Sequence, residues 1–187
     1  MATSPDEALL VLRAQFGDRE ALEALLRAVR PSLLRYVSGI IGAEDAEDLI
    51  QDVLLLIYRK LGGLQHADVF KPWAFRIASR AAFRHLKKRK RLPALVGDEM
   101  LEERPADMSW PQVDEPALST LLATLSPASH AVLHLHFTEE LTLGEVAAVL
   151  EIPIGTVRSR LAYGLATLRK QLSERRNDDV PTTRAHG

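Results

Sequence analysis

The chain has 187 residues, a length that suits one or two small domains. Its 24 basic and 25 acidic residues give a net charge of −1, but this near-balance hides charges that are strongly segregated along the chain. The chain has no cysteine, which excludes disulfides, thiolate metal sites and cysteine nucleophiles and is typical of a reducing cytoplasm. Residues 1–6 lack a signal-peptide pattern, and no apolar run reaches the ~18 residues of a membrane helix. We therefore expect a cytoplasmic chain without membrane insertion.

The residue pattern predicts an all-α protein made of two small helical domains. Leucine and alanine are abundant, aromatic residues make up 5% of the chain, and no alternating run indicates strands. Between the helical parts lies an acidic, proline-containing stretch without helical periodicity. We expect helical domains at 7–91 and 117–172, a flexible acidic linker at 92–116 and a disordered tail at 173–187.

The N-terminal domain is predicted to begin with two amphipathic helices. Apolar residues recur at three- and four-residue steps over 18–41, with a bend expected at Pro31. A second helix is predicted over 43–61, directly after Gly42. Five carboxylates within 44–52 exceed what the helix dipole needs, which indicates either an acidic face for a basic protein partner or a merely solvated face.

A third helix, predicted over 71–91, carries nine basic residues and no acidic residue. On a helical wheel, one side is apolar and the other is basic. The apolar side comprises Phe75, Ala78, Ala82 and Leu86, and the basic side comprises Arg76, Arg80, Arg84, Lys87 and Arg91. A basic stripe of this kind suits a helix lying along a phosphate backbone. Trp73 lies on the basic side, where it could stack on an unpaired base or fill a gap in the core.

The C-terminal domain has the pattern of a helix-turn-helix motif. Ser126 before Pro127 is a predicted helix start, and Thr142 with Glu145 has capping-box spacing. The first predicted helix spans 127–137. The second opens at Thr142 and ends at Leu150, and the third spans 154–172 after a tight turn at 151–153. A plain helical hairpin is the alternative, but the polar start of the last helix favours DNA binding. Its candidate contacts to bases or phosphates are Thr156, Arg158, Ser159, Arg160 and Tyr163.

Four segments in order carry a resemblance to a known family. They are GD at 17–18, AEDLIQDV at 46–53, WAFRIA at 73–78 and IPIGTVRSRL at 152–161. The series resembles the extracytoplasmic-function class of sigma-70 family sigma factors, the small two-domain specificity subunits of bacterial RNA polymerase. The resemblance covers residues 7–172.

The resemblance implies partners and roles for the candidate residues. It implies sigma region 2 at 7–91 and sigma region 4, with the helix-turn-helix, at 117–172. It implies that the second helix docks on the clamp of the largest subunit of the RNA polymerase core through Asp45, Glu47, Asp48, Gln51 and Asp52. It implies that the third helix and the loop at 62–70 recognise and open the −10 promoter element, with Trp73, Arg76, Arg80, Arg84, Lys87 and Lys88 as DNA contacts. It implies that Arg158 and its neighbours, the candidate contacts already named, read the −35 element as duplex.

The sequence departs from the family pattern in three places. Arg80 and Arg84 stand where members often have Asn and Asp, which strengthens general DNA affinity. Glu151 replaces the usual turn glycine or aspartate, which indicates a strained turn. Residues 162–165 are less basic than in several members, so fewer −35 backbone contacts are expected.

We also expect a cognate anti-sigma factor, because exposed DNA and polymerase faces on two independent domains would need restraint. An ordinary regulator, with a helical sensor or dimerisation domain before the helix-turn-helix, is the alternative function. A metal-dependent enzyme using His130, His134 and His136 is a further alternative, although His136 points elsewhere on the helix. The leading interpretation requires no catalytic residue, cofactor or metal.

Overall fold

The structure, a computed structural model, describes residues 5–90, 122 and 125–178. Arg91, the predicted linker, most of residues 117–124 at the start of the predicted C-terminal domain, and the end of the tail lie outside these residues. Within them the protein is helical and contains no strand. Its helices are α1 (Pro5–Gln15), α2 (Arg19–Ile41), α3 (Ala43–Lys60), α4 (Phe70–Lys90), α5 (Pro127–Leu133), α6 (Leu143–Leu150) and α7 (Ile154–Asp178).

Helix α2 is the central helix of the N-terminal half. It begins at Asp18, as predicted. Asp18 is the N-cap, and its carboxylate accepts a hydrogen bond from the Ala21 amide at 3.0 Å. This hydrogen bond lowers the pKa of Asp18. The helix continues through Pro31. It ends at Gly42, whose φ of 94° is a conformation that glycine adopts without steric cost.

Helix α1 was not predicted from the sequence. It packs on α2 and buries Val11. Gln15 at its end donates hydrogen bonds to the carbonyls of Leu61 and Leu64, at 2.9 and 2.7 Å. The N-terminal helix is thus fixed to the turn that follows α3.

The core of the N-terminal half is formed where α4 packs against α2. Phe75 and Tyr36 are fully buried and meet edge to face, with ring centroids 5.3 Å apart. The hydroxyls of Tyr36 and Ser79 are hydrogen-bonded at 2.7 Å, and Ser79 donates to the Phe75 carbonyl at 2.7 Å. Burial raises the pKa of Tyr36, which therefore stays neutral.

The C-terminal half has the predicted helix starts. Ser126 caps α5 with Pro127 in its first turn. At α6, Thr142 Oγ1 accepts from the Glu145 amide at 3.2 Å and Glu145 accepts from the Thr142 amide at 2.8 Å, which completes the predicted capping box. Between these helices, the predicted α-helical end at 134–137 is instead a wider π-helical turn, His134–Thr138.

Two further predictions concern the turn and the last helix. Glu151 is left-handed, with φ 57°, so the predicted strained turn is confirmed. Helix α7 runs through Asp178, so the expectation of disorder from residue 173 onward is wrong for its first six residues. The i,i+4 pair of Lys170 and Glu174, 4.0 Å apart, supports this extension.

The two halves pack against each other rather than standing apart as independent domains. Helix α5 lies on α2, and α6 lies on α4. The His130 ring rests against Gly39, where any β-carbon would be 1.9 Å from His130 Cε1. Across the described part of the chain, no helix is long and apolar enough to span a membrane.

Candidate nucleic-acid interface

Helix α4 separates its apolar and basic sides as its sequence predicts. Phe75, Ala78, Ala82 and Leu86 are buried in the hydrophobic core. On the opposite side, Arg80, Arg84, Lys87 and Lys88 are exposed, and Arg76 is half-buried. This row of cations follows the helix axis and can face a phosphate backbone.

Trp73 is neither a plug in the core nor fully free. Its ring is half-buried and lies 6.0 Å from the Phe70 ring, centroid to centroid. It lines a cleft of 440 Å³ between the N-terminal half and α6, together with Gly63, Leu64, Gln65, His66, Val69, Pro72, Arg76, Glu145, Ala148 and Val149. Part of the indole therefore remains exposed to this cleft.

The acidic residues of α3 do not form one continuous face. Asp45 is turned toward α4, where it pairs with Arg89 and lies 3.3 Å from His85 Nε2. Glu47 pairs with Arg30 of α2 at 2.5 Å. Asp48, Gln51 and Asp52 are exposed. Part of the acidic surplus thus stabilises the helix packing, and the remainder faces solvent.

The second helix of the helix-turn-helix buries one side and presents the other. Val157, Leu161, Leu165 and Leu168 are fully buried. Arg158 and Tyr163 are exposed, whereas Thr156, Ser159 and Arg160 are half-buried, and Ser159 donates its hydroxyl to the Thr156 carbonyl at 3.1 Å. Arg158 is therefore the best placed of the five predicted residues to reach a base edge.

The structure brings together charges that sequence reasoning placed apart. Arg80 donates two hydrogen bonds to Glu151, one of them from Nε at 2.8 Å. These bonds raise the pKa of Arg80 and lower the pKa of Glu151. Both residues stood out in the sequence, but nothing in it indicated that they pair.

A second ion pair between the halves is largely buried. Glu139 accepts from Lys71 Nζ at 3.0 Å and lies 3.2 Å from His134 Nε2. Burial alone would raise the pKa of Glu139, but the hydrogen bonds from His134 and Lys71 outweigh it, and the pKa falls below its ordinary value. The His134 ring also packs against Tyr36 at 5.4 Å. This arrangement gives the histidine a packing role.

The histidines of the metal-enzyme alternative do not assemble a metal site. The His130 and His134 ring centroids are 5.7 Å apart. The Nδ1 atom of His136 lies 2.8 Å from the Leu141 carbonyl oxygen, within hydrogen-bond distance. Among the residues that the structure describes, no cluster of three histidine or carboxylate side chains could hold a metal ion.

Comparison with known families covers both halves of the chain. Residues 25–92 match the family model described as Sigma-70 region 2, and residues 121–170 match that described as Sigma-70, region 4. The two matches coincide with the two halves that carry the basic helix and the helix-turn-helix.

Individual proteins are similar over nearly the whole chain. The RNA polymerase sigma-H factor of Pseudomonas aeruginosa is 28% identical, over 92% of this chain and 96% of its own length. The ECF RNA polymerase sigma factor SigW of Bacillus subtilis is 25% identical, over 84% of this chain and 92% of its own. Among solved structures, the sigma factor RpoE of Bartonella quintana, in complex with the anti-sigma factor NepR, is 23% identical. It has a TM-score of 0.63 and covers 81% of this chain and 96% of its own.

Proposed function

Since the chain belongs to the extracytoplasmic-function class of sigma-70 family RNA polymerase sigma factors, we propose that it directs core polymerase to promoters through α4 and α7. It acts in the cytoplasm as a non-catalytic specificity subunit. The observation that carries the proposal is the presence of a one-sided basic helix and a capped helix-turn-helix in the same chain. An ordinary operator-binding regulator has no need of a one-sided basic helix.

The basic side of α4 is proposed to bind and open the −10 element. Arg76, Arg80, Arg84, Lys87 and Lys88 supply phosphate contacts, and Trp73 supplies a stacking surface. Binding an unpaired strand better than the duplex shifts the melting equilibrium toward the open form. Opening therefore needs neither a catalytic group nor a cofactor.

Helix α7 is proposed to read the −35 element as duplex. Arg158 is exposed near the start of the helix, the part of a recognition helix that enters the major groove. A guanidinium can bind guanine at two acceptors. Thr156, Ser159, Arg160 and Tyr163 are proposed to support that contact from neighbouring positions.

The exposed part of α3 is proposed to dock on the clamp of the largest polymerase subunit. Asp48, Gln51 and Asp52 face solvent and are available to a basic partner. Asp45 and Glu47 already hold basic side chains of α4 and α2. We propose that these two position the docking helix in addition to any direct contact with polymerase.

A cognate anti-sigma factor is proposed as the cellular restraint on these surfaces. The similar fold of a sigma factor solved with its anti-sigma factor supports this partner. Pull-down of the tagged chain from native cells without inducing stress should recover such a protein. Recovery of polymerase alone would count against this part of the proposal.

Run-off transcription tests the function as a whole. Purified core polymerase is incubated with a genomic promoter library, with and without this chain. New discrete start sites are expected only when the chain is present. Failure to bind core, with sequence-specific duplex binding retained, would support the ordinary regulator instead.

A further inference from the structure

We propose that Ile154, at the start of α7, determines part of the −35 sequence by contacting the methyl group of a thymine in the major groove. The inference rests on the proposed function and deepens it, because it adds an apolar base contact to the polar contact of Arg158. The sequence pattern had indicated only polar and aromatic residues of α7 as DNA contacts.

In the described C-terminal half, the two exposed large apolar side chains both lie on α7. They are Ile154, 45% exposed, and Tyr163, 39% exposed. The large apolar side chains of α5 and α6 are buried or half-buried. Exposed apolar side chains are common on protein surfaces, but in this half they are confined to the helix that is proposed to enter the groove.

Ile154 lies at the end of α7 that faces the DNA in a helix-turn-helix. The Pro153 carbonyl accepts a hydrogen bond from the Val157 amide at 3.1 Å, so Ile154 belongs to the first turn. Val157 and Leu161 are fully buried and fix the helix in the domain. A β-carbon on the adjacent Gly155 would meet nothing within 4 Å, so open space adjoins Ile154. Residues at this end of a recognition helix contact base edges.

Ile154 and Arg158 lie on the same side of α7. Residues four positions apart on a helix are neighbours, with β-carbons about 5–6 Å apart. Successive base pairs of a duplex are about 3.4 Å apart along its axis. With Arg158 on a guanine, Ile154 therefore reaches a base pair within about two steps of that guanine.

Thymine is the base that an isoleucine can distinguish in the major groove. It presents a methyl group there, beside the hydrogen-bond donors and acceptors that every base pair shows. The branched β-carbon of Ile154 restricts its side chain to essentially one rotamer in a helix. A rigid apolar side chain gains by covering a methyl group, whereas covering a donor or acceptor would cost that group its hydrogen bond to water. The contact therefore favours thymine.

Deoxyuridine tests the contact without any change in the protein, because it differs from thymidine only by the missing methyl group. Holoenzyme is assembled from the full chain and core polymerase, and run-off transcription identifies its promoters. In a duplex carrying one such promoter, each −35 thymine is replaced in turn by deoxyuridine, and the affinity is measured by fluorescence anisotropy. One replacement should weaken binding about fourfold, the factor that corresponds to about 0.8 kcal/mol for a methyl-sized group.

The position of this thymine is also fixed by the geometry. The guanine bound by Arg158 is identified with 7-deazaguanine, which lacks the N7 acceptor and should weaken binding of the wild type but not of Arg158→Ala. The sensitive thymine should lie within about two base pairs of that guanine. A −35 element with only G·C pairs over this distance would overturn the proposal.

Variants of Ile154 assign the effect to this side chain. Ile154→Ala should bind the thymine and deoxyuridine duplexes equally, whereas Ile154→Val keeps the branched β-carbon and should retain most of the difference. Leu55→Ala is the matched control, since Leu55 is an apolar residue of α3 with a similar exposure of 51%, and it should keep the wild-type preference. An equal loss of affinity of Ile154→Ala for both duplexes would refute a methyl contact and indicate a contact with protein or phosphate instead.

The outcomes separate this contact from the function on which it rests. Absence of new start sites with core polymerase would refute both. New start sites, with an affinity that no deoxyuridine replacement changes, would refute the contact of Ile154 and leave the sigma-factor function intact.

Discussion

Acid should destabilise this protein through His130 at a pH well above the range in which carboxyl groups titrate. Burial, with a smaller contribution from nearby His134, lowers the pKa of His130 from 6.5 to about 4. The neighbouring His134 lies in turn beside Glu139, which pairs with Lys71. Between pH 6.5 and 4 the unfolded chain binds a proton at His130 that the folded chain does not, so stability falls as pH falls.

The magnitude follows from the two pKa values. A tenfold change in proton affinity corresponds to about 1.4 kcal/mol, so the fall from 6.5 to about 4 amounts to about 3 kcal/mol. About 2 kcal/mol of this should be lost between pH 7.5 and 5.0. The lowered pKa of Glu139 acts in the same direction but below its ordinary value of 4.5. A comparison that stops at pH 5.0 therefore stays above the range in which the shift of Glu139 acts.

The assay is urea unfolding followed by circular dichroism at both pH values. His130→Asn places a non-titrating polar group near the position of Nδ1 and should lose about 2 kcal/mol less than the wild type over this interval. His66→Asn, at an exposed site, should behave as the wild type does. The same pH dependence in all three proteins would show that His130 is not held neutral in the fold.

Other substitutions test the cap, the packing and the division of DNA contacts. Thr142→Ala removes the capping box of α6 and should cost about 1 kcal/mol in urea unfolding, whereas Thr167→Ala, within α7, should cost less. Gly164→Ala would place a β-carbon 2.5 Å from Leu133 Cδ1, so overpacking should lower stability by about 1–3 kcal/mol in the same measurement; an unchanged midpoint would show that α5 and α7 shift freely. Arg158→Ala should weaken binding to a −35 duplex by about 1–3 kcal/mol in fluorescence anisotropy, and Trp73→Ala should leave that affinity intact while slowing promoter opening in a permanganate assay. Equal losses for both variants in both assays would contradict the assignment of α4 to melting and α7 to duplex.

Local signals in the sequence were enough to predict most of the helices. The starts at Ser126 and Thr142 were predicted because a capping residue and its partner lie within three positions of each other. Helix α1 was missed because Leu9, Leu10, Val11 and Leu12 form a continuous apolar run rather than a repeating one. A run of that kind acquires a buried side only once α2 is there to cover it.

The arrangement of the charged surfaces was less accessible from the sequence. Arg80 and Glu151 are 71 residues apart, and each had a sufficient local explanation, one as a DNA contact and the other as a turn residue. Asp45 likewise belonged to an acidic cluster until the fold placed it beside Arg89. Periodicity defines the side of a helix on which a residue lies. The partner of that side depends on tertiary packing, which periodicity does not encode.

The left-handed turn at Glu151 has a consequence for how this protein can evolve. Its φ of 57° favours glycine over a residue with a β-carbon, and glycine and glutamate codons differ by a single nucleotide. Glu151→Gly would relieve the backbone and at the same time release Arg80. Most substitutions lower stability, but here the backbone gain offsets the loss of an ion pair that is exposed on both sides. Glycine at position 151 should therefore be accepted without loss of stability, even though it breaks an ion pair between the two halves.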